Sequence, residues 1–290
     1  MSRNRSLPRA RTTRGDTRKR LSQNFLTDAG AARLIVRASG VTAEDLVLEI
    51  GPGDGMLTRQ LLGSAGRVRA YEKDAYYADR LRRRYDGDDR IRLFHKDFRA
   101  VCEPEEPFAV VANVPFAVTT DMVRWCLAAR QLTSATLVTQ LEFARKHSGD
   151  YGRWTKLTVT HWPTVAMELG ARIGRHSFHP VPRVDTAILH LHRRPRPLLP
   201  NSVHADYRRV VELGFSGVGG SLASSLRRQF PTRTVRAACA TAGIGLDEPV
   251  GLIDPNRWLT LYGALRTEGN SHRYTNVSDT FMYQTRRGAP

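Results

Sequence analysis

Residues that could bind a nucleoside follow the ends of successive apolar runs in the first half of the chain. The glycines of EIGPGDG lie at 49–55, Glu72 and Asp97 close the next two runs, and Asn113 closes FAVVAN. Glycines let the backbone approach a ligand closely, and a helix that starts after them offers amide donors. A carboxylate at such a strand end can accept hydrogen bonds from both ribose hydroxyls, as Glu72 would. Asp97 could accept from an adenine amino group.

The spacing of the glycines distinguishes between two adenosine ligands. The pattern is G-x-G-x-G, and Met56 stands where a dinucleotide fingerprint has its third glycine. Two carboxylates would also repel a pyrophosphate. We therefore expect S-adenosylmethionine rather than a dinucleotide, with Gly51, Gly53, Glu72 and Asp97 binding it. The alternatives are a tight turn for the glycines, a surface acid for Glu72 and a helix cap for Asp97.

The segment NVPF at 113–116 indicates what the bound methyl group would react with. An adenine amine is a poor nucleophile because its lone pair is delocalised into the ring. The Asn113 side-chain oxygen and the Val114 carbonyl could accept its two protons and turn that lone pair toward the methyl group. Pro115 fixes the local backbone, and Phe116 could stack on an extruded base, worth about 1–3 kcal/mol. This chemistry requires no metal and no strong base; the alternative role for Asn113 is a turn cap.

The elements that must position these residues alternate along the chain. Strands are predicted at 46–51, 68–72, 91–97, 108–113 and 135–140, with helices near 56–63, 75–85 and 119–130. This order predicts an α/β fold, a Rossmann-like, doubly wound and mostly parallel seven-stranded sheet. TKLTVTHW at 155–162 and TAILHLH at 186–192 are expected to supply two further strands, arranged more like a hairpin than a crossover.

The chain is expected to contain two folded domains between two disordered ends. Residues 21–194 form the catalytic domain, and the proline-rich segment 195–202 is a linker. Helical periodicity in 203–266 predicts a small helical RNA-binding domain. The ends are a basic arm at 1–20 and a polar tail at 267–290.

The charge balance points to a polyanionic partner. Lys and Arg outnumber Asp and Glu by 45 to 28, a net charge of +17, and nucleic acid is the natural counter-charge. For the basic arm, a solvated tail and a targeting peptide are the alternatives. The residues expected to contact RNA are Arg18, Lys19, Arg20, Arg208, Arg209, Arg227 and Arg228.

The sequence also argues against several classes of protein. No apolar run approaches the ~20 residues that span a bilayer, and the Arg-rich start lacks the apolar region of a secretion signal, so we expect a cytoplasmic protein. The three cysteines are isolated from one another, and the histidines lack partners at metal-ligand spacing, so we expect no metal. We expect a monomer.

Seven motifs in a fixed order carry a family resemblance that spans about residues 18–265. They are LSQNFL, EIGPGDG, YEKD, HKDF, NVPF, TQLEFARK and SFHPVPRVDTAIL. The chain resembles the Erm ribosomal RNA adenine dimethyltransferases. The resemblance implies adenine N6 methylation of large-subunit (23S) ribosomal RNA, which confers resistance to macrolide, lincosamide and streptogramin B antibiotics.

The resemblance also assigns roles to matching residues. It places Asn24 and Leu26 against the cofactor beside Gly51, and Asn113 between cofactor and target. Phe116 stands where many relatives have tyrosine. Any role that the tyrosine hydroxyl has in those relatives is therefore absent here. Phe178 occupies the family's second aromatic position and would cover the other side of the base, although a single phenylalanine is more often a core residue.

Two other functions are compatible with this scaffold. One is a small-subunit adenine dimethyltransferase that acts in ribosome assembly, which protein-free large-subunit RNA as a substrate would distinguish. The other is a non-catalytic nucleic-acid-binding protein, like the family's mitochondrial transcription-factor relatives, against which Glu72, Asp97 and Asn113 argue. A nicotinamide oxidoreductase is disfavoured by Met56 and by NVPF.

Overall fold

The computed structural model describes residues 24–217 and 220–270. These form two compact units. The first contains the described residues up to 144 together with Leu169–Leu191, and the second contains Arg145–Glu168 together with the described residues from 192 onward. The segment 145–168 therefore belongs with the C-terminal helices, and the domain limits given above remain a proposal.

Nine strands make up the two sheets of the described chain. They are β1 Phe25–Leu26, β2 Leu46–Ile50, β3 Arg67–Glu72, β4 Ile91–His95, β5 Phe108–Asn113, β6 Leu132–Gln140, β7 Val165–Ile173, β8 Phe178–His179 and β9 Thr186–Arg193. The large sheet has seven strands in the order β4-β3-β2-β5-β6-β9-β7, and β1 pairs antiparallel with β8 in a second, small sheet. The pairs β3–β4, β2–β3, β2–β5 and β5–β6 are parallel. The predicted mostly parallel, Rossmann-like sheet is confirmed.

Ten α-helices accompany these strands in the part of the chain that the structure describes. They are α1 Ala29–Ser39, α2 Met56–Leu61, α3 Ala75–Arg84, α4 Thr119–Ala128, α5 Leu141–Ser148, α6 Lys156–His161, α7 His204–Gly214, α8 Leu222–Leu226, α9 Thr232–Thr241 and α10 Pro255–Asn270. The predicted helices after β2, β3 and β5 are present. The last helix reaches Asn270, so 267–270 are helical and not part of a disordered tail.

The central strands are buried on both faces because helices cover the sheet on both sides. Every residue of β2, and all of β5 except its last residue, is buried. Such strands consist of continuous apolar residues rather than an alternating pattern. Since β2, β3 and β5 are parallel, their carboxyl ends meet at one edge, where Gly51, Glu72 and Asn113 lie.

The prediction of a strand at 155–162 is wrong, because this segment forms helix α6. The Thr155 side chain caps it by accepting a hydrogen bond from the Thr158 amide. Val159 is fully buried, and its carbonyl accepts a hydrogen bond of 2.9 Å from the Tyr207 hydroxyl. The alternating Thr and Val residues favour a strand locally, but burial in the helical core decides the conformation. The strand that lies beside β9 at the edge of the sheet, where the predicted strand was expected, is β7.

Each unit has its own hydrophobic core. In the first unit, α1 and α2 pack on the sheet through Ile35, Leu57 and Leu61. In the second unit, the helices pack around Tyr207 and Trp258, both almost fully buried.

Candidate active site

The glycine loop after β2 adopts a backbone that other residues rarely adopt. Gly51, Gly53 and Gly55 have φ values of 69°, 54° and 81°. A Cβ atom on Gly53 would lie 2.9 Å from the Phe25 ring, and one on Gly55 would lie 2.7 Å from a Leu81 methyl group. Close packing as well as the φ angle therefore favours glycine at positions 53 and 55.

Glu72 presents a fixed carboxylate to this loop. Its side chain is 5% exposed. One oxygen accepts a hydrogen bond of 3.0 Å from the Gly53 amide, and the other accepts one of 2.8 Å from the Asp74 amide. Burial raises the pKa of Glu72, and the bonds from the backbone amides oppose that rise. Each carboxylate oxygen retains a lone pair for a ligand hydroxyl.

Asp97 is held by several protein donors. It caps the 3₁₀ helix Phe98–Ala100, accepting from the Arg99 amide, and forms ion pairs of 2.8 Å with Arg99 and 2.7 Å with Lys73. The hydrogen bonds from the Arg99 side chain, followed by those from Lys73, hold the pKa of Asp97 far below its usual range. Asp97 is not among the residues that line the cleft described next, and its role toward adenine remains a proposal.

A cleft of about 490 Å³ opens at the carboxyl edge of the sheet. It is lined by Asn24, Phe25, Gly51, Gly53, Glu72, Asn113, Val114, Pro115, Phe116 and Phe178. The structure therefore brings together nine residues that the sequence indicated. Phe25 is an addition, and its position inside the LSQNFL motif was the available signal.

An adjoining cleft of about 280 Å³ shares Phe25, Gly51 and Asn113 with the first. Leu26 lies on its wall, as does Glu49. Sequence reasoning missed Glu49, although an acid inside the apolar run LVLEI was a visible signal.

The Asn113 carboxamide is oriented by the protein. Its Nδ2 donates a hydrogen bond of 2.8 Å to the Asn24 carbonyl. The Val114 amide donates to the Val138 carbonyl at 3.1 Å, and the Pro115 carbonyl accepts from Val118 at 3.0 Å. Within 24–217 and 220–270, no residue donates to Asn113 Oδ1 or to the Val114 carbonyl. Two acceptors on consecutive residues at the cleft thus keep their lone pairs available.

Two aromatic residues contribute to the cleft in different ways. Phe116 is partly buried and opens a 3₁₀ turn, Phe116–Val118. Phe178 is 2% exposed and pairs with Leu26 across the small sheet. Phe178 is thus a core residue that also lines the cleft.

The basic residues of the second unit lie on its surface. Arg208, Arg227 and Arg228 are exposed, and exposed Arg209 forms an ion pair of 3.4 Å with Asp206. The arm at 1–20, with Arg18, Lys19 and Arg20, and the tail beyond 270 lie outside the described residues.

The described ranges contain neither a metal site nor a membrane-spanning helix. No group of three or more His, Cys, Asp or Glu side chains there could hold a metal ion. None of the described helices has the length and apolarity to cross a membrane.

A parallel sheet of this order, with a glycine loop after its first large strand and an acid at the end of the next, defines a Rossmann-like methyltransferase. Residues 14–266 match the family described as ribosomal RNA adenine dimethylase. The chain belongs to this family, whose fold and chemistry imply use of S-adenosylmethionine.

Known relatives agree with this assignment. The chain is 48% identical over 256 residues to the "rRNA adenine N-6-methyltransferase" of Aeromicrobium erythreum, covering 88% of this chain and 75% of the relative. It is 33% identical over 238 residues to "Ribosomal RNA small subunit methyltransferase A" of Lactobacillus delbrueckii subsp. bulgaricus, covering 76% and 80%. The crystal structure of "23S rRNA methyltransferase ErmE" superposes with a TM-score of 0.80 at 43% identity, covering 84% of this chain and all of that one.

Proposed function

We propose that this protein transfers a methyl group from S-adenosylmethionine to the exocyclic amine of a specific adenine in 23S ribosomal RNA. The modification would confer macrolide, lincosamide and streptogramin B resistance, and the enzyme would act in the cytoplasm, where ribosomal RNA is found. The observation that carries the proposal is a pair of acceptors to which no described residue donates, Asn113 Oδ1 and the Val114 carbonyl, at the cleft that also contains Glu72 and the glycine loop.

The residues of the cleft fit an adenosine-type cofactor. Gly51 and Gly53 have positive φ values, which favour glycine, and neither residue has a side chain that could block a ligand. Glu72 is fixed by two backbone amides and has lone pairs left for the two ribose hydroxyls. When bound, S-adenosylmethionine supplies an electrophilic methyl group on a sulfonium sulfur. Leu26 and Asn24 would lie against the cofactor on the side of Gly51.

Asn113 would act as a hydrogen-bond acceptor and not as a base. Because its Nδ2 is held by the Asn24 carbonyl, its Oδ1 is the atom left to accept one proton of the adenine amine. The Val114 carbonyl, followed by Pro115 with its fixed φ of −58°, would accept the other. Two acceptors favour a pyramidal nitrogen whose lone pair points to the methyl group. The proton is lost to solvent after transfer, when the amine has become acidic.

The target adenine must leave its helix to enter the cleft. Phe116 would stack on the extruded base, and Phe178 would contact its other side. We expect Phe116→Leu to reduce methyl transfer more than Phe116→Tyr, because tyrosine keeps the aromatic face. Turnover numbers measured on the same RNA test this, and the reverse order would contradict base stacking.

RNA binding would rest on the positive charge of the chain. The exposed arginines of the second unit, including Arg208 and Arg227, would contact phosphates, which position the RNA without specifying its sequence. The arm at 1–20 would add further phosphate contacts. Its deletion should weaken binding and flatten the salt dependence of the affinity.

The test of the proposal uses both ribosomal RNAs. The full chain is incubated with methyl-labelled S-adenosylmethionine and with protein-free large- or small-subunit RNA, and the modified base is mapped. Label on one adenine of the large-subunit RNA is expected. Label on small-subunit RNA alone would instead support the ribosome-assembly enzyme, whose relative is less similar, at 33% against 48% identity. No label on either would refute methyl transfer and support a non-catalytic RNA-binding protein.

A further inference from the structure

The loop between β8 and β9, residues 180–184, presents apolar side chains to solvent. Val181 is 49% exposed and Val184 is 42% exposed, and Arg183 between them is exposed as well. A single exposed apolar residue is ordinary on a protein surface. Two of them within four residues form a small apolar patch, and such patches next to a binding site are typical of contact surfaces. We call residues 180–184 the valine loop.

Both ends of the valine loop are tied to elements that line the large cleft. Before the loop, the Ser177 carbonyl accepts a hydrogen bond of 2.8 Å from the Thr27 amide, which directly follows β1. After the loop, the Asp185 carbonyl accepts one of 2.8 Å from the Leu141 amide, which directly follows β6. The strand β6 pairs with β5. Because β1, β5 and β8 all contribute residues to the cleft, the valine loop lies beside it.

The valine loop has a fixed conformation. Pro182 is buried and Pro180 is half-buried, and each proline ring fixes its own φ angle. The buried proline holds the middle of the loop against the protein, while the valines on either side remain exposed. Little conformational entropy would therefore be lost when the two valines contact a partner.

The charge around the valine loop favours a polyanion as that partner. The connection from β7 to β9 carries the exposed side chains of Arg175, His176, His179 and Arg183. Its single acid between 174 and 185 is Asp185. Phosphate groups complement such a segment, whereas an apolar protein surface would leave the two arginines without counter-charge.

A flipped base leaves a gap that apolar side chains can fill. When an adenine swings out of an RNA stack, its two neighbours lose their stacking partner, and this costs free energy. Proteins that distort nucleic acids insert apolar side chains between bases and so recover part of that cost. Phe116 and Phe178 at the cleft would contact the extruded base, but neither can also occupy the position that the base has left.

We propose that Val181 and Val184 form a wedge that enters the RNA stack at the position vacated by the target adenine, while Arg183 contacts a phosphate of the same strand. The inference rests on the proposed function and adds the element that opens the substrate. The valines do not touch the reacting atoms, so they are positioning residues. They stabilise the extruded state that must form before the methyl group is transferred.

The double variant Val181→Ser with Val184→Ser measures the size of the effect. About half of each valine side chain is free to be buried by RNA. Losing both contacts should lower the extruded population, and with it the single-turnover rate, about tenfold. The double variant Val181→Ile with Val184→Ile keeps the apolar surface and should keep most of the rate.

The experiment compares single-turnover methyl transfer by the full chain on two RNA hairpins. The first carries the mapped adenine within a stacked strand that the wild type methylates. The second is the same hairpin without the two bases that flank the adenine, so that no stack has to open. The serine variant should lose its rate on the first hairpin only. Leu198→Ser changes an apolar residue of similar exposure, 44%, outside the loop, and should match the wild type on both.

Three results would overturn the inference and leave the proposed function intact. An equal loss on both hairpins would show a general role of the loop in folding or binding. No loss on either would leave the patch to a protein partner or a second copy of the chain. Slower transfer by the wild type on the second hairpin would show that the neighbouring bases are needed rather than opened. If the serine variant does not fold, Val181→Thr with Val184→Thr, which keeps the side-chain shape, decides by the same comparison. Absence of label on all ribosomal RNA in the mapping experiment would overturn both proposals.

Discussion

Replacing Asn113 with alanine tests the central element of the site. The variant loses the hydrogen bond of 2.8 Å from Nδ2 to the Asn24 carbonyl, worth about 0.5–1.5 kcal/mol of folding free energy. It also loses the Oδ1 acceptor. Removing one preorganised polar contact from a transition state raises the barrier by roughly 2–4 kcal/mol, or about 30- to 900-fold in turnover.

The two losses appear in different measurements. Single-turnover transfer of labelled methyl groups to large-subunit RNA reports the barrier, and calorimetry reports cofactor affinity, which should weaken less. Thermal unfolding reports the lost bond to Asn24. Asn201→Ala, at an exposed position in the second unit, is the matched control and should change none of the three. Turnover of Asn113→Ala within a few fold of the wild type would refute its role as acceptor.

Two further substitutions test how the glycine loop is held. Gly53→Ala should lower both the melting temperature and cofactor affinity, because its Cβ would clash at 2.9 Å with a neighbouring ring. Gly87→Ala has a similar φ but open space around it, so it should cost only the backbone strain of about 1–2 kcal/mol; equal cofactor affinity in the two variants would contradict the packing argument. Arg84→Ala removes the hydrogen bond of 2.7 Å to the Asp54 carbonyl and should weaken cofactor binding about 2- to 12-fold with little change in turnover. Arg83→Ala on the same helix is its control, and an equal loss of affinity there would show a general charge effect instead.

Local sequence patterns predicted an element correctly where one kind of residue, such as apolar residues, fills the whole segment. The run FAVVAN predicted β5 because a strand covered on both faces must be apolar throughout, and Asn113 marked its end. At 155–162 the local pattern predicted a strand where the structure has a helix. There β-branched residues favour a strand, yet Val159 is buried among helices of the second unit.

Interactions between distant parts of the chain could not be predicted in the same way. Asn24 and Asn113 are 89 residues apart, and only folding shows that the carbonyl of the first orients the carboxamide of the second. Similarly, Asp97 was recognised as a strand-end acid, but its ion pairs with Lys73 and Arg99 depend on how β3 and the turn after β4 approach each other.

The sequence by itself determined which residues stand at the ends of the parallel strands, because strand length and burial follow from local residue type. It therefore determined that Gly51, Glu72 and Asn113 lie at one edge. Only the tertiary structure decided which atoms at that edge are already bonded and which remain free. Among the described residues, it satisfies Asn113 Nδ2 and leaves Oδ1 available, and it leaves both carboxylate oxygens of buried Glu49 without a hydrogen bond of normal geometry. Hydrogen bonding is short-ranged and directional, so its outcome depends on the final positions of atoms that no local pattern specifies.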